Sequence, residues 1–294
     1  TSQFSQQNNQ SNGKTDAISG NFRFEWKIDS LTTIMYRPSV NFSKGNSNSG
    51  SFSETLNNEL IPINQKEATN RQTNDRFSTN GSLQFNRKLN SKGRNIALRL
   101  YYNLDNGNSD RYSLANTYYL KYGDSIKVQN QWIDNLNRNH EYRVQLTYME
   151  PVFTNHFIEI NYSYQHRSSL SEKYAYDWND LEDSYSQYPD TAQSDCYKNK
   201  YSIHQVGAFF RTIRTNYFYN IGIEIEPQQT TNQSYMRDTT LEYSSRNAIN
   251  YAPTMNFKYT FSKQTTLRIN YRGRTTQPSM TDLYSKNDIS DPLN

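Results

Sequence analysis

The feature that most constrains this chain is a strict alternation of apolar and polar residues, repeated along the sequence in long stretches. A period of two sends successive side chains to opposite faces of an extended backbone, so each stretch predicts a strand with one apolar and one polar face. Phe22, Phe24, Trp26 and Ile28 alternate with Asn21, Arg23, Glu25 and Lys27, and Ile34, Tyr36, Val40 and Phe42 follow after a tight turn at Asp29-Ser30. The pattern returns over Phe77–Phe85, Ile96–Leu104, Tyr142–Tyr148, Ile158–Tyr164, Tyr217–Ile225, Ile249–Phe261 and Leu267–Tyr271. A further strand, about Tyr201 to Arg211, is poorly phased, with apolar residues on both parities. The result is about ten long strands in five hairpins, with short turns inside the hairpins, as at Asn90 to Arg94 and Pro151 to Asn155. The connections between hairpins, residues 45–75, 106–138, 168–200 and 228–246, are long and polar and read as loops, as do Thr1–Asp16 and Thr275–Asn294.

Alternation alone does not say whether the apolar face meets lipid or a second sheet. Strand length discriminates, because soluble strands average about five or six residues while a tilted strand needs about nine to eleven to cross a bilayer. Tyrosines also bracket the apolar faces, as Tyr142 and Tyr148 or Tyr251 and Tyr259 do, in the manner of interfacial girdles. A mean hydropathy of −1.02 falls in the range of disordered chains, but 25 Tyr, 14 Phe and 3 Trp do not. A wall with a wet lumen and polar outer parts accounts for both. No run approaches the roughly 20 apolar residues of a membrane helix, so any crossing is made by strands. The net charge of +4 is no nucleic-acid footprint.

The predicted fold class is therefore all-β, an antiparallel transmembrane β-barrel with short periplasmic turns and long extracellular loops. Leu98, Leu100, Ile221, Ile223 and Ile225 are expected to face outward. Arg99, Glu224, Glu226, Arg268, Arg272 and Arg274 fall on the opposite parity, as lumen-facing positions. A soluble glycan-binding β-protein, its isoleucines packed on a second sheet, is the competing architecture.

The end of the chain carries the strand Leu267-Arg268-Ile269-Asn270-Tyr271-Arg272, then Gln277-Pro278-Ser279, Leu283 and Ser290-Asp291-Pro292-Leu293-Asn294. This stretch resembles the β-barrel part of TonB-dependent outer-membrane receptors in the form typical of Bacteroidetes. Tyr148-Met149-Glu150-Pro151-Val152 at a short turn is a second likeness, and hairpin spacing extends the resemblance over nearly the whole chain. The resemblance implies a multi-pass barrel of the cell outer membrane, in contact with its lipid. Such a barrel takes up an external ligand of siderophore, glycan or peptide class through a lumen filled by a plug domain, energised by the TonB complex. Residues 1–294 are then one partial barrel domain, with the plug and the remaining strands of a wall of about 22 outside it. The first and last strands are expected to be open edges. The alternative is a non-transport barrel acting as scaffold or subunit of a surface complex, with a surface lipoprotein among its partners.

No catalytic constellation emerges, so the chain is not expected to be an enzyme, and no cofactor or metal is expected. Asp177-Trp178-Asn179-Asp180-Leu181-Glu182-Asp183 places oxygens at calcium-like spacing, but Leu181 occupies a ligand position and the required glycine is absent. His156 and His166 have no local partner ligand and read as girdle or loop residues. Cys196, the single cysteine, sits among polar residues in an expected loop. The candidate ligand contacts are the aromatics of the outer loops: Tyr174, Tyr176, Trp178, Tyr185 and Tyr188, with Trp132 in a second loop. Interleaved with Asp and Asn, such rings can stack on sugars or clamp peptides.

Overall fold

The computed structural model describes residues 4–120, 125–237 and 239–273, and every regular element among them is a strand. These are β1 (Phe4–Asn21), β2 (Phe24–Lys27), β3 (Thr32–Leu56), β4 (Pro62–Lys88), β5 (Asn95–Tyr119), β6 (Ser125–Phe153), β7 (His156–Asn179), β8 (Ser184–Tyr185), β9 (Asp195–Ile213), β10 (Tyr217–Met236), β11 (Thr239–Thr260) and β12 (Thr266–Arg272). They form one antiparallel sheet in the order β1-β3-β4-β5-β6-β7-β9-β10-β11-β12. β2 continues the line of β1 along β3, and β8 pairs with the end of β7. The wall thus has the ten positions expected. Among the described residues β1 and β12 do not pair with each other, so both edges are open.

Unbroken register carries each face across the wall. Trp26, Ile34, Phe85, Leu98, Leu146, Tyr162, Val206, Ile225 and Tyr251 stand opposite one another in a single row. One residue along, the row reads Glu25, Met35, Gln84, Arg99, Gln145, Ser163 and Gln205. A slip of one residue would exchange the two sets, so the apolar pattern fixes the pairing. The apolar face has no second layer: Ile221 is 50% exposed, Ile223 45% and Phe42 54%. Most of the buried residues are instead polar, Thr212, Ser194, Gln131 and Ser163 among them. That is a membrane wall turned inside out relative to a soluble core.

The apolar band also reports the strand tilt. Its outermost large apolar side chain is Phe42 on β3 and Ile225 on β10. The row that contains Phe42 reaches β10 at Gln233, well beyond Ile225. For a band level with the membrane, that offset across the intervening strands corresponds to a tilt of about 40°, given roughly 3.3 Å per residue and 4.8 Å between strands.

Two expectations are corrected. The long connections expected as loops, residues 45–75, 106–138, 168–200 and 228–246, are mostly strand. β3 has 25 residues, β4 27, β6 29 and β7 24, far beyond the roughly ten that cross a bilayer. Likewise Phe4–Asn21, placed largely in a loop, is an 18-residue strand paired along β3. The physical reason is shared. Above the membrane both faces are wetted, so no apolar period marks the strand, yet each backbone continues its neighbour's ladder. The asymmetry between the two ends therefore lies in wall height and not in loop length. At the short end the expected turns form: Asp29 Oδ1 accepts from the amides of Leu31 (2.7 Å) and Thr32 (2.6 Å), and Asn90 Oδ1 does the same for Lys92 and Arg94. Gly93 adopts φ +106° there, a conformation that favours glycine.

Candidate functional site

On the lumen face, β6, β7, β9 and β10 bring polar side chains into one network. Gln205 accepts from the Arg143 guanidinium (2.8 Å) and the Ser163 hydroxyl (3.1 Å), and donates to Glu224 (2.9 Å) and Glu226 (2.7 Å). Asn161 donates to the second Glu224 oxygen at 3.3 Å, and Arg211 pairs with Glu159. Glu224 and Glu226 thus lie in the expected face, engaged by amides. Arg99 shares that face opposite Gln84 and Gln145 and is exposed. Arg268 and Arg272 stand exposed on edge strand β12, opposite Lys258 and Thr254, and neither pairs with Glu224 or Glu226. Arg274 lies outside the described residues.

Farther out, the same face encloses a cavity of about 530 Å³ lined from β1 to β9, so the wall curls around it. Lys66, Arg111 and Lys173 supply positive charge, and Gln7, Gln129, Gln131, Gln193 and Asp195 supply amides and one carboxylate. Arg111 is the notable member. Its Nε is buried without a hydrogen-bond partner. The segment after β8 folds back to roof part of the cavity. The Ala175 carbonyl accepts from the Asp190 amide (2.7 Å), the Ala175 amide donates to Ser194 Oγ (3.0 Å), and Gln129 donates to Gln193 (3.0 Å). Gln131 Nε2 donates to Asp177 Oδ1 at 2.7 Å, so Asp177 belongs to this wall and not to a solvated loop.

The aromatics come together elsewhere. Trp132 and Tyr176 face each other across β6 and β7 and stack at 4.8 Å, while Tyr185 of β8 meets Trp178 edge-on at 5.0 Å and lies 6.5 Å from Trp132. Tyr112, on β5 opposite Trp132, completes the cluster 5.8 Å from Tyr185. Even-numbered residues of β6 and β7 carry Tyr142, Leu146, Ile160 and Tyr162 to the lipid side. Uninterrupted pairing therefore puts Trp132, Tyr174, Tyr176 and Trp178 on the outer face, above the membrane and away from the lumen. They are strand residues, where loops were expected. Tyr188 stands apart, 70% exposed, with the Arg237 guanidinium 5.2 Å above its ring.

This outer face is also acidic. Asp110 and Asp134 are direct cross-strand partners, and Trp132 Nε1 donates to Asp110 at 3.1 Å. Burial, then the nearby Asp110 and Glu172 charges, raise the Asp134 carboxyl above its usual range. The Tyr235 hydroxyl donates to Glu172, and burial pushes the phenols of Tyr174 and Tyr235 up. Cys196, expected in a loop, is buried in β9 opposite Glu172 and Tyr235; burial raises its thiol. His166 stacks on Tyr142 at 5.2 Å and His156 on Phe210 at 5.7 Å, as girdle residues. Among the described residues no group of three His, Cys, Asp or Glu is placed to hold a metal ion.

Sequence reasoning missed Arg111, Lys66 and Tyr112. No sequence signal marked these three; for the outward side of Trp132 the signal was the absence of Gly and Pro between residues 125 and 150, which lets the parity of Tyr142 run unbroken to it.

Residues 87–294 match the outer membrane protein beta-barrel family. No curated protein matches the sequence. Among solved structures, the chain is similar to the ferric-catecholate import receptor Fiu from E. coli in its closed form, at 10% identity and a TM-score of 0.45, over 90% of this chain and 49% of that one. The unliganded ferric citrate transporter FecA is similar at 11% identity and a TM-score of 0.34, over 87% of this chain and 43% of that one. The chain thus spans about half the length of these structures.

Proposed function

The chain belongs to the outer membrane protein beta-barrel family, and from that premise we propose that this outer-membrane wall serves TonB-dependent uptake of a small, polar, anionic ligand. The observation that carries the reading is the lumen-face cavity of about 530 Å³ with Arg111 aimed into it alongside Lys66 and Lys173. A guanidinium with a buried, unpartnered N–H gains a charge-assisted hydrogen bond when a carboxylate or phosphate enters. Below the cavity the wall stays polar through Arg143, Gln205, Glu224 and Glu226, a wetted lining along which a hydrated solute can pass. The likeness of Leu267–Arg272 and the residues after it to TonB-dependent receptors supports a plug domain and the TonB complex as partners. No catalytic step is assigned to the chain.

In cells, uptake through this protein is expected to cease when TonB is depleted. With the purified protein, Arg111→Gln is expected to weaken binding of small carboxylates or sugar phosphates by about ten- to a hundredfold, while leaving neutral sugars unaffected. Unchanged anion binding in Arg111→Gln would remove the cavity from the reading.

The outer-face aromatic cluster favours the alternative of a scaffold in a surface complex. Trp132, Tyr176, Tyr185 and Tyr112 point away from the lumen, where a protein partner can reach them. Uptake independent of both TonB and Arg111, with a partner lost in Trp132→Ala, would favour that alternative.

A further inference from the structure

Outward residues just beyond the apolar band lie at the depth of lipid headgroups, and their charges differ around the wall. On β1 and β3 the cations there are neutralised: Lys14 pairs with Asp16 at 3.1 Å and Lys44 with Asp75 of β4 at 3.9 Å. On β10 the corresponding outward positions are Gln229, Thr231 and Gln233. On β6 and β9 they are Arg138, Lys198 and Lys200, all three exposed, and none makes an ion pair or hydrogen bond among the described residues. Register draws them together. Arg138 faces Leu170 on β7 and Leu170 faces Lys198, while Lys200 faces Ser168, itself opposite His140. Directly below lies the aromatic girdle, with Tyr142 stacked on His166 at 5.2 Å and Tyr164 against His204 at 4.9 Å. The nearest outward carboxylate above, Glu172, is engaged by the Tyr235 hydroxyl.

We propose that Arg138, Lys198 and Lys200 form a binding site for the phosphorylated headgroup of an outer-leaflet lipid. Three unpaired cations within two strand spacings carry charge that the wall itself does not neutralise, and the girdle beneath offers ring surface to the lipid's glycerol or sugar backbone. The depth selects the occupant. A soluble anion gains nothing from a site level with the membrane surface, whereas a lipid phosphate is delivered there by its own acyl chains, which the outward Leu104, Val144 and Tyr164 accommodate. The site stands on the lipid side of the wall, so it is separate from the cavity around Arg111 and does not depend on the uptake reading.

The test uses the intact protein purified from outer membranes and placed in phosphatidylcholine nanodiscs with added lipid A carrying two, one or no phosphates, read by native mass spectrometry. Wild type is expected to retain the phosphorylated forms and not the phosphate-free one. At roughly fivefold per basic residue, R138Q/K198Q/K200Q is expected to lose on the order of a hundredfold in retention. The charge-preserving R138K/K198R/K200R is expected to keep it, as is K14Q/K44Q, which removes outward cations three or more strands from Arg138. Equal retention in the triple glutamine variant, or of phosphate-free lipid, would overturn the proposal. Displacement of the lipid by millimolar inorganic phosphate would overturn it as well, by showing a small-anion site instead.

Discussion

Ile221→Arg is expected to destabilise the barrel in lipid by about 2–4 kcal/mol. Ile221 is the middle of five outward positions on β10, Tyr217, Tyr219, Ile221, Ile223 and Ile225, and its side chain meets no other layer of protein. An arginine there must keep its guanidinium among acyl chains or drag water and headgroups inward, and either costs most at the bilayer midplane. Gln229→Arg lies on the same face of the same strand, beyond the band, and is expected to change stability by no more than about 0.5 kcal/mol. Unfolding in lipid vesicles, followed by loss of heat-modifiable electrophoretic mobility, measures both. Equal effects at the two positions would mean that the band does not sit in hydrocarbon.

A second large effect is expected on the opposite face. A Cβ added to Gly222 would lie 2.3 Å from the Ala208 carbonyl oxygen and 2.4 Å from Phe209 Cδ1. The ring of Phe209 lies over both Gly222 and Gly207, an aromatic covering two glycines in neighbouring strands. Gly222→Val is therefore expected to cost about 1–3 kcal/mol. Phe209→Ala in the same chain should relieve only part of that loss, because the carbonyl contact is backbone and cannot rotate away. Full rescue by Phe209→Ala would show that the ring alone excludes a side chain at Gly222.

Phe209 also explains where the sequence was hard to read. Its lumen-facing ring puts an apolar residue on the polar parity of β9, so the stretch from Tyr201 to Arg211 has no clean phase, although its pairing with β7 and β10 is regular. The membrane-spanning parts of the other strands were legible, because lipid on one side and water on the other impose opposite chemistry at every step. Above the membrane that contrast vanishes. Asn46–Gly50, paired residue by residue with Thr69–Thr73, reads as an unstructured polar tract although it is a ladder of backbone hydrogen bonds. For the same reason the aromatics of residues 174–188 were legible as a cluster but not as a face. Which side Trp132 and Tyr176 take depends on counting parity from Tyr142 through a region where composition gives no check. Arg111 was not legible at all, since its place in the cavity follows from the curl of the whole wall.

The claim on which the rest depends is that one face of this sheet meets lipid and the other a wet lumen, with the wall continuing above the membrane. Spin labels placed one at a time along Tyr217–Gln233, omitting Gly222, in a Cys196→Ala background reconstituted in lipid test it directly. Collision rates with oxygen, which concentrates in lipid, and with a water-soluble nickel chelate are measured at each position. The account predicts that oxygen accessibility peaks at Tyr217, Tyr219, Ile221, Ile223 and Ile225 and fades beyond Pro227. Nickel accessibility should peak at Phe218, Asn220, Glu224 and Glu226, and from Gln229 outward both parities should meet water. Odd positions shielded from both reagents, as isoleucines packed against a second sheet would be, or oxygen accessibility with no alternation, would contradict it.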